Sequence, residues 1–300
     1  MSGHHDPAAV PVVSVHDLYF AYEPGRPVLA GAELALYARH RLAVLGPNGG
    51  GKTTLFRLIV GALKPDAGEI RLDGRPLRHT RKGLLELRQQ VQLVVQDPDD
   101  QLFAASVYQD VSFGPVNLGL PAPEVRARVD AALGALGITE LADRPTHLLS
   151  FGQKKRTAIA GAIAMCPRVL VLDEPTAGLD PVGVEALLAT LHDLHVAGTT
   201  LVISTHDVDL AYRWSDEVAI VADGTIHRAP VDVALADHDL LTRARLGPAW
   251  APTVHTLLER RGGLSGARPQ TAAELYALLD TATRTIQPSS HHTGGAGAGA

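Results

Sequence analysis

This chain predicts an α/β fold with a parallel sheet covered on both faces, and three observations lead there. Short, almost wholly apolar runs at residues 42–45, 169–172 and 201–204 read as strands buried on both sides. Stretches with helical apolar spacing lie between them, as at residues 182–196, and strands that alternate with helices build parallel sheets. The first apolar run passes directly into a glycine-rich loop and then into another helical stretch.

The elements follow in order. Polar and β-branched alternation over residues 12–22 predicts the first strand, with Glu23-Pro24-Gly25 as its turn. Residues 42–45 form a buried strand, and the LFRLIVGAL that follows the loop carries leucines at 55, 58 and 63, a helical spacing. Strands at 69–73 and 91–96 and helices at 124–136 and 154–165 precede the strand 169–172, the helix 182–196 and the strand 201–204. Beyond Arg228 the pattern weakens. Helical pieces at 231–246 and 272–279 flank a stretch containing Pro248, Pro252 and Pro269. The chain therefore divides into a flexible N-terminus (1–11), a main domain (12–228), a small C-terminal extension (229–286) and a tail (287–300). The glycine- and alanine-rich tail buries too little to offset its ordering entropy.

Composition narrows the function classes. With 300 residues and 46% hydrophobic content the chain buries a sizeable core. No apolar run approaches the roughly 18 to 20 residues of a membrane span, because the longest candidate, 158–172, is interrupted by Gly161, Pro167 and Arg168. The N-terminus MSGHHDPAAV has neither a basic start nor an apolar signal region, and the single Cys166 allows no intrachain disulfide, so a cytoplasmic location is expected. A net charge of −5 argues against nucleic acid as a partner. The pairs His4-His5 and His291-His292 have no second ligand pair at fixed spacing and read as solvated tails. Arg71, Arg75, Arg78, Arg81, Lys82 and Arg88 make the one basic concentration, a solvated edge or a contact for anionic lipid.

The chemistry begins at Gly46-Pro47-Asn48-Gly49-Gly50-Gly51-Lys52-Thr53-Thr54, which fits G-x-x-x-x-G-K-[ST]. Consecutive glycines let backbone N–H groups turn inward as an anion nest at a helix N-terminus. Lys52 is then placed to reach the β- and γ-phosphates of a nucleotide, and Thr53 to put its hydroxyl on Mg²⁺. Asp173 ends the apolar strand 169–172, at the sheet edge where parallel strands deliver ligand-binding groups. It would hold Mg²⁺ through water, while Glu174 would accept a proton from water attacking the γ-phosphate. Twenty positions before Asp173 stands the glutamine of LSFGQ, residues 149–153.

With those residues in place, the chain resembles the ATP-binding-cassette ATPases over residues 12–228. The resemblance implies a P-loop NTPase (RecA-like) core, an N-terminal antiparallel β subdomain and an inserted α-helical subdomain, about residues 97–155, that carries the signature motif. It implies ATP and Mg²⁺ as ligands, with Gln96 matching the Q-loop glutamine that contacts Mg²⁺ and the attacking water. His206 in ISTHD matches the switch histidine at the γ-phosphate, Tyr22 the aromatic that stacks on adenine, and Asp180 the D-loop residue that crosses between subunits. Ser150, Gly152 and Gln153 match the signature, which completes the site of a second subunit.

Two positions depart from the family pattern. Phe151 stands where the first of two signature glycines is usual, and Gly50 where serine, alanine or cysteine is commoner. QDPDDQLFAASVYQDVSFGPVNLGL and LSFGQKKRTAIAGAIAM are similar to the ATP-binding subunits of energy-coupling-factor importers, and LSFGQKKR with STHDVDLAYRWSDEV to the cobalt-importer subunits among them. That subgroup implies a homodimer at the cytoplasmic face of the membrane, working with a transmembrane scaffold protein and a substrate-binding membrane protein. Nickel, biotin and other vitamins stay open as cargo. Soluble repair cassettes carry long heptad insertions, whereas only about fifty residues separate Gln96 from Ser150 here. Translation cassettes commonly hold two nucleotide domains, and this chain has one copy of each motif.

Overall fold

The computed structural model describes residues 9–260, 269 and 272–286. The expected disordered tail, most of the expected flexible N-terminus and both terminal histidine pairs lie outside those residues.

Two compact units divide the chain between Gly247 and Pro248. In the first, β1 (Val13–Glu23) and β2 (Arg26–Leu36) form an antiparallel hairpin. The antiparallel β4 (Ala67–Leu72) and the two-residue β5 (Arg75–Pro76) extend it into a sheet of order β2-β1-β4-β5. A second sheet has the order β10-β9-β3-β8-β7-β6, where β3 is Arg41–Leu45, β6 Val91–Val94, β7 Val169–Leu172, β8 Thr200–Thr205, β9 Glu217–Ala222 and β10 Thr225–Pro230. All its pairs are parallel except β9 with the edge strand β10. The four residues of β7 and the six of β8 are all buried, which is why they read as continuous apolar runs. Register sets Leu42 beside Val202 and Val171 beside Val202. The carboxyl ends of β3, β8 and β7 therefore emerge side by side.

Helices cover this sheet. After β3 comes α1 (Lys52–Ile59), and after β5 comes α2 (Arg81–Gln90). A helical subdomain of α3 (Val107–Asn117), α4 (Ala122–Ala135) and α5 (Phe151–Ile163) follows β6, with α5 packed on both of the others. α6 (Pro181–Val196) lies between β7 and β8, and α7 (Val208–Trp214) after β8. The short α8 (Val231–Ala234) and α9 (His238–Arg243) pack on β9, so the first unit continues past the expected limit at Arg228, which falls inside β10. In the second unit α10 (Trp250–Arg260) and α11 (Ala272–Ile286) pack on each other.

Several expected elements are redrawn. The helix over 55–63 stops at Ile59, because Gly61 adopts φ +66° and the N–H groups of Ala62 and Leu63 both return to the carbonyl of Arg57. The strand expected at 91–96 ends at Val94, because the N–H of Val95 turns to the side chain of Gln101. The helical piece over 231–246 is two short helices, since the side chain of Asp237 caps a fresh start at His238 by accepting the N–H of Leu240.

Candidate functional site

The site is assembled where β3, β8 and β7 end. From Leu45 the chain turns through Gly46, Pro47, exposed Asn48 and Gly49 before entering α1 at Lys52. Gly51 precedes the helix at φ +103°, a left-handed conformation that side chains rarely adopt, and Gly46 lies against the carbonyl of Val221. Gly50 closes the loop by donating its N–H to the carbonyl of Pro47 at 3.0 Å. A Cβ there would lie 2.9 Å from that same oxygen, so glycine at this departure from the family pattern fits the loop as it is folded.

Lys52 is buried, and its ammonium donates to the carbonyls of Gly46 at 2.8 Å and Pro47 at 3.2 Å. Burial lowers its pKa below the usual lysine value, and the negative charges of Glu174 and Asp173 oppose that fall. The next residue, Thr53, donates its hydroxyl to Asp173 Oδ2 at 2.6 Å. Ser204, fully buried in β8, donates to the other carboxylate oxygen of Asp173 and accepts the N–H of Glu174 at 2.8 Å. Both oxygens of Asp173 are thus aimed by hydroxyls from neighbouring elements. Glu174 follows at φ +46°, a strained value for a residue with a side chain. Its buried carboxylate lies 3.2 and 3.1 Å from Nδ1 of His206, whose ring is largely exposed.

Thr53, Gln96 and Asp173 line one cavity of about 410 Å³ together with Arg57, Asp97 and Gly178. Exposed Gln96 enters it from the bend that follows β6. Tyr22, 57% exposed, sits beside the loop with its hydroxyl 3.3 Å from that of Thr54 and its ring edge-on to Phe20. The residues matched to a second subunit's site stand elsewhere. Ser150 and Gln153 hold each other in a capping box that starts α5, the Gln153 Oε1 accepting the Ser150 N–H at 3.0 Å. Gly152 lies against Leu179, and Asp180 caps α6 by accepting the N–H of Gly183 at 2.6 Å. Among the described residues no hydrogen bond joins Ser150, Gly152, Gln153 or Asp180 to the glycine-rich loop.

The donor set fits a magnesium ion. Among the described residues no group of three or more His, Cys, Asp or Glu is placed to hold a metal. One carboxylate and one hydroxyl at 2.6 Å, beside an open cavity, suit a hard ion that keeps several waters and borrows oxygens from substrate phosphates. Two residues of the site escaped the sequence reading. Ser204 looked like the end of an apolar strand, and its place two residues before His206 was the available signal. Lys155 falls inside the helix expected at 154–165, with nothing local to single it out, and it is fully buried.

The cluster as a whole, a loop lysine, a hydroxyl on a strand-end carboxylate and a second carboxylate facing a histidine, is arranged for binding and cleaving a phosphoanhydride. Comparison with known proteins agrees. The model of the ABC transporter family matches residues 29–177. The cobalt import ATP-binding protein CbiO of Rhodobacter capsulatus is 48% identical over 280 residues, 91% of this chain and 99% of that protein. The energy-coupling factor transporter ATP-binding protein EcfA of Methanocaldococcus jannaschii is 48% identical over 237 residues, 78% of this chain and 85% of that protein. Among solved structures, cbiO1 of Clostridium perfringens, part of the ABC transporter complex cbiONQ, superposes with a TM-score of 0.70 at 43% identity, covering 83% of this chain and 99% of that one. By its loop, its strand-end carboxylates and these relatives, the chain belongs to the ABC transporter family as one of its ATP-binding, ATP-hydrolysing subunits.

Proposed function

We propose that this chain is the ATPase of an energy-coupling-factor importer for a transition metal ion, cobalt first among the candidates. The observation that carries it is the pairing of Asp173, aimed by Thr53 and Ser204, with buried Glu174 facing His206. In this reading the inward N–H groups of residues 46–54 and Lys52 bind the β- and γ-phosphates, and Tyr22 stacks on adenine. Thr53, Gln96 and, through water, Asp173 would hold a magnesium ion, which would supply positive charge against the phosphate oxygens. Glu174 takes the proton from the attacking water as the γ-phosphorus bonds to that oxygen and the bond to the bridging oxygen of ADP breaks. His206 donates to the γ-phosphate. Ser150, Gly152 and Gln153 of a second copy close the site from the other side, with Asp180 crossing between copies. Closure depends on ATP because only ATP bridges both copies, and hydrolysis shifts the population back to the open pair.

A groove of about 370 Å³ supports a membrane partner. It is lined by exposed Phe103 and Phe113, whose rings meet edge-on at 4.6 Å, and by Leu85 and Arg88 of α2, Gly114 of α3 and Met165. Its shape and apolar lining fit a short cytoplasmic helix of the transmembrane scaffold. No described helix is long and apolar enough to cross a membrane, so transport in this reading depends on the scaffold and a substrate-binding membrane protein. The cobalt assignment follows the R. capsulatus relative and stands or falls separately from the ATPase chemistry.

Radiolabelled cobalt uptake by cells expressing the chain with its cognate membrane proteins tests the reading. Uptake that disappears with Glu174→Gln supports it. Glu174-dependent uptake of biotin or another vitamin in place of the metal overturns the cargo assignment, and uptake independent of Glu174 overturns the whole.

A further inference from the structure

Lys155 is a second buried lysine, and the reaction described above gives it nothing to do. It lies on α5, one helical turn after Phe151, and its relative exposure is 0%. An ammonium placed so deep is costly unless it is paired and hydrogen-bonded. Its Nζ donates to the carbonyl of Gln96 at 2.7 Å and to the carbonyl of Glu174 at 3.0 Å. Burial lowers its pKa, while the charges of Asp173, Glu174 and Asp97 favour the protonated form. The Phe151 ring stands 5.7 Å from the ammonium, within cation–π range. That ring also closes on Gly178, where a Cβ would lie 2.5 Å from Phe151 Cε1.

These contacts join three segments at one atom. α5 has two other ties to the stretch after β6, Lys154 to Asp99 at 2.5 Å and Gln101 to the carbonyl of Ala158 at 3.4 Å. Neither reaches the end of β7. Lys155 alone among these ties holds the main chain of Gln96 and that of Glu174 together, and Glu174 is the residue whose backbone is strained.

We propose that Lys155 is a positioning residue for ATP hydrolysis, its buried ammonium fixing the main chain at Gln96 and Glu174 in one frame with α5. Through it the carboxylate of Glu174 and the amide of Gln96 keep their spacing when the helix that carries the signature motif moves. Phe151, in place of the usual glycine, shields this junction and fastens it to Gly178. The inference rests on the ATPase reading of the same site.

Lys155→Met keeps the stem and removes all three donors. Lys155→Gln, shorter and uncharged, keeps two N–H donors and leaves a polar group in the site. Steady-state ATP hydrolysis by the full chain, with a fluorescent ADP analogue titrated for affinity, reads both variants. Lys155→Met is expected to lower kcat by about tenfold to a hundredfold, the scale of a misplacement on the order of 1 Å. The affinity for the analogue stays within about threefold, because a group acting only on the chemical step leaves binding intact. Lys155→Gln falls between Lys155→Met and the wild type. Wild-type kcat in Lys155→Met overturns the inference, as does a loss of affinity as large as the loss of kcat. Should Lys155→Met fail to fold, Lys155→Gln decides: reduced kcat with unchanged affinity supports the assignment, and wild-type kcat overturns it. A wild-type chain with no hydrolysis that Lys52→Ala removes would instead sink the ATPase reading itself.

Discussion

Glu174 illustrates how much of this site a single residue concentrates. Its neighbour Asp173 is aimed by two hydroxyls, its N–H is held by Ser204, its carbonyl by Lys155, and its carboxylate faces His206. Removing one support should therefore be felt in both stability and rate. Ser204→Ala leaves the buried N–H of Glu174 without a partner and frees one oxygen of Asp173, and is expected to cost about 1–3 kcal/mol. Urea unfolding of the nucleotide-free chain checks this, and a cost below about 0.5 kcal/mol, the size of an ordinary surface substitution, would contradict the described hydrogen bonds. Lys52, Thr53, Asp173 and Glu174 are legible in the sequence because each belongs to a run with its own spacing, and His206 only through the resemblance to the cassette family. Ser204 and Lys155 were not, because nothing local distinguishes a serine at a strand end or a second lysine in LSFGQKKR. Their roles come from residues that lie 30 and 59 positions away in the chain.

At the level of elements, periodicity served where burial is one-sided or complete and failed where packing across sequence decides. The strands β3, β7 and β8 announce themselves as apolar runs. β2, α2, α3, α7, β9, β10 and α10 were not anticipated; α3 is obscured by Gly114 and Pro115 near its end, and α2 has only Leu87 fully buried. The edge of the second sheet depends on an ion cluster that no local pattern shows. Glu217, at the start of β9, accepts from Arg228 on β10 and lies 3.4 Å from Nδ1 of His40, just before β3. Burial alone would raise its pKa, but hydrogen bonds from His40 and Arg228 and the Arg228 charge prevail and hold it at about 2 against a usual 4.5. A depressed carboxylate pKa contributes stability above the unfolded value and loses it as pH falls through the folded one. Glu217→Gln is thus expected to lower stability by at most about 3 kcal/mol at pH 7, with the gap to wild type narrowing below pH 4.5. Denaturant midpoints at several pH values check it, and a gap that widens in acid would contradict it. The start of α5 offers a simpler case. Ser150→Ala breaks the capping box and is expected to cost about 1 kcal/mol without any nucleotide present. An unchanged denaturant midpoint would contradict that cap.

For the whole molecule, the division of labour between Lys52 and Ser150 carries the account. The loop, the proposed magnesium ligands Thr53 and Asp173, and Glu174 gather at the ends of β3, β8 and β7, whereas Ser150, Gly152 and Gln153 stand at the start of α5 with no hydrogen bond to that loop among the described residues. A single copy therefore holds half of each proposed site and should turn over ATP poorly at concentrations where pairs do not form. Phe151 and Gly50, the two departures from the family pattern, both fit their surroundings, the first packed on Gly178 and the second closed over by Pro47. The most direct measurement is sedimentation of Glu174→Gln with ATP and with ADP, alongside its rate of hydrolysis. A dimer with ATP, a monomer with ADP and a rate at least about 100-fold below wild type are expected, the last as for loss of a general base. A variant that stays monomeric with ATP, or hydrolyses it at the wild-type rate, would contradict the claim that Glu174 cleaves a nucleotide shared between two copies.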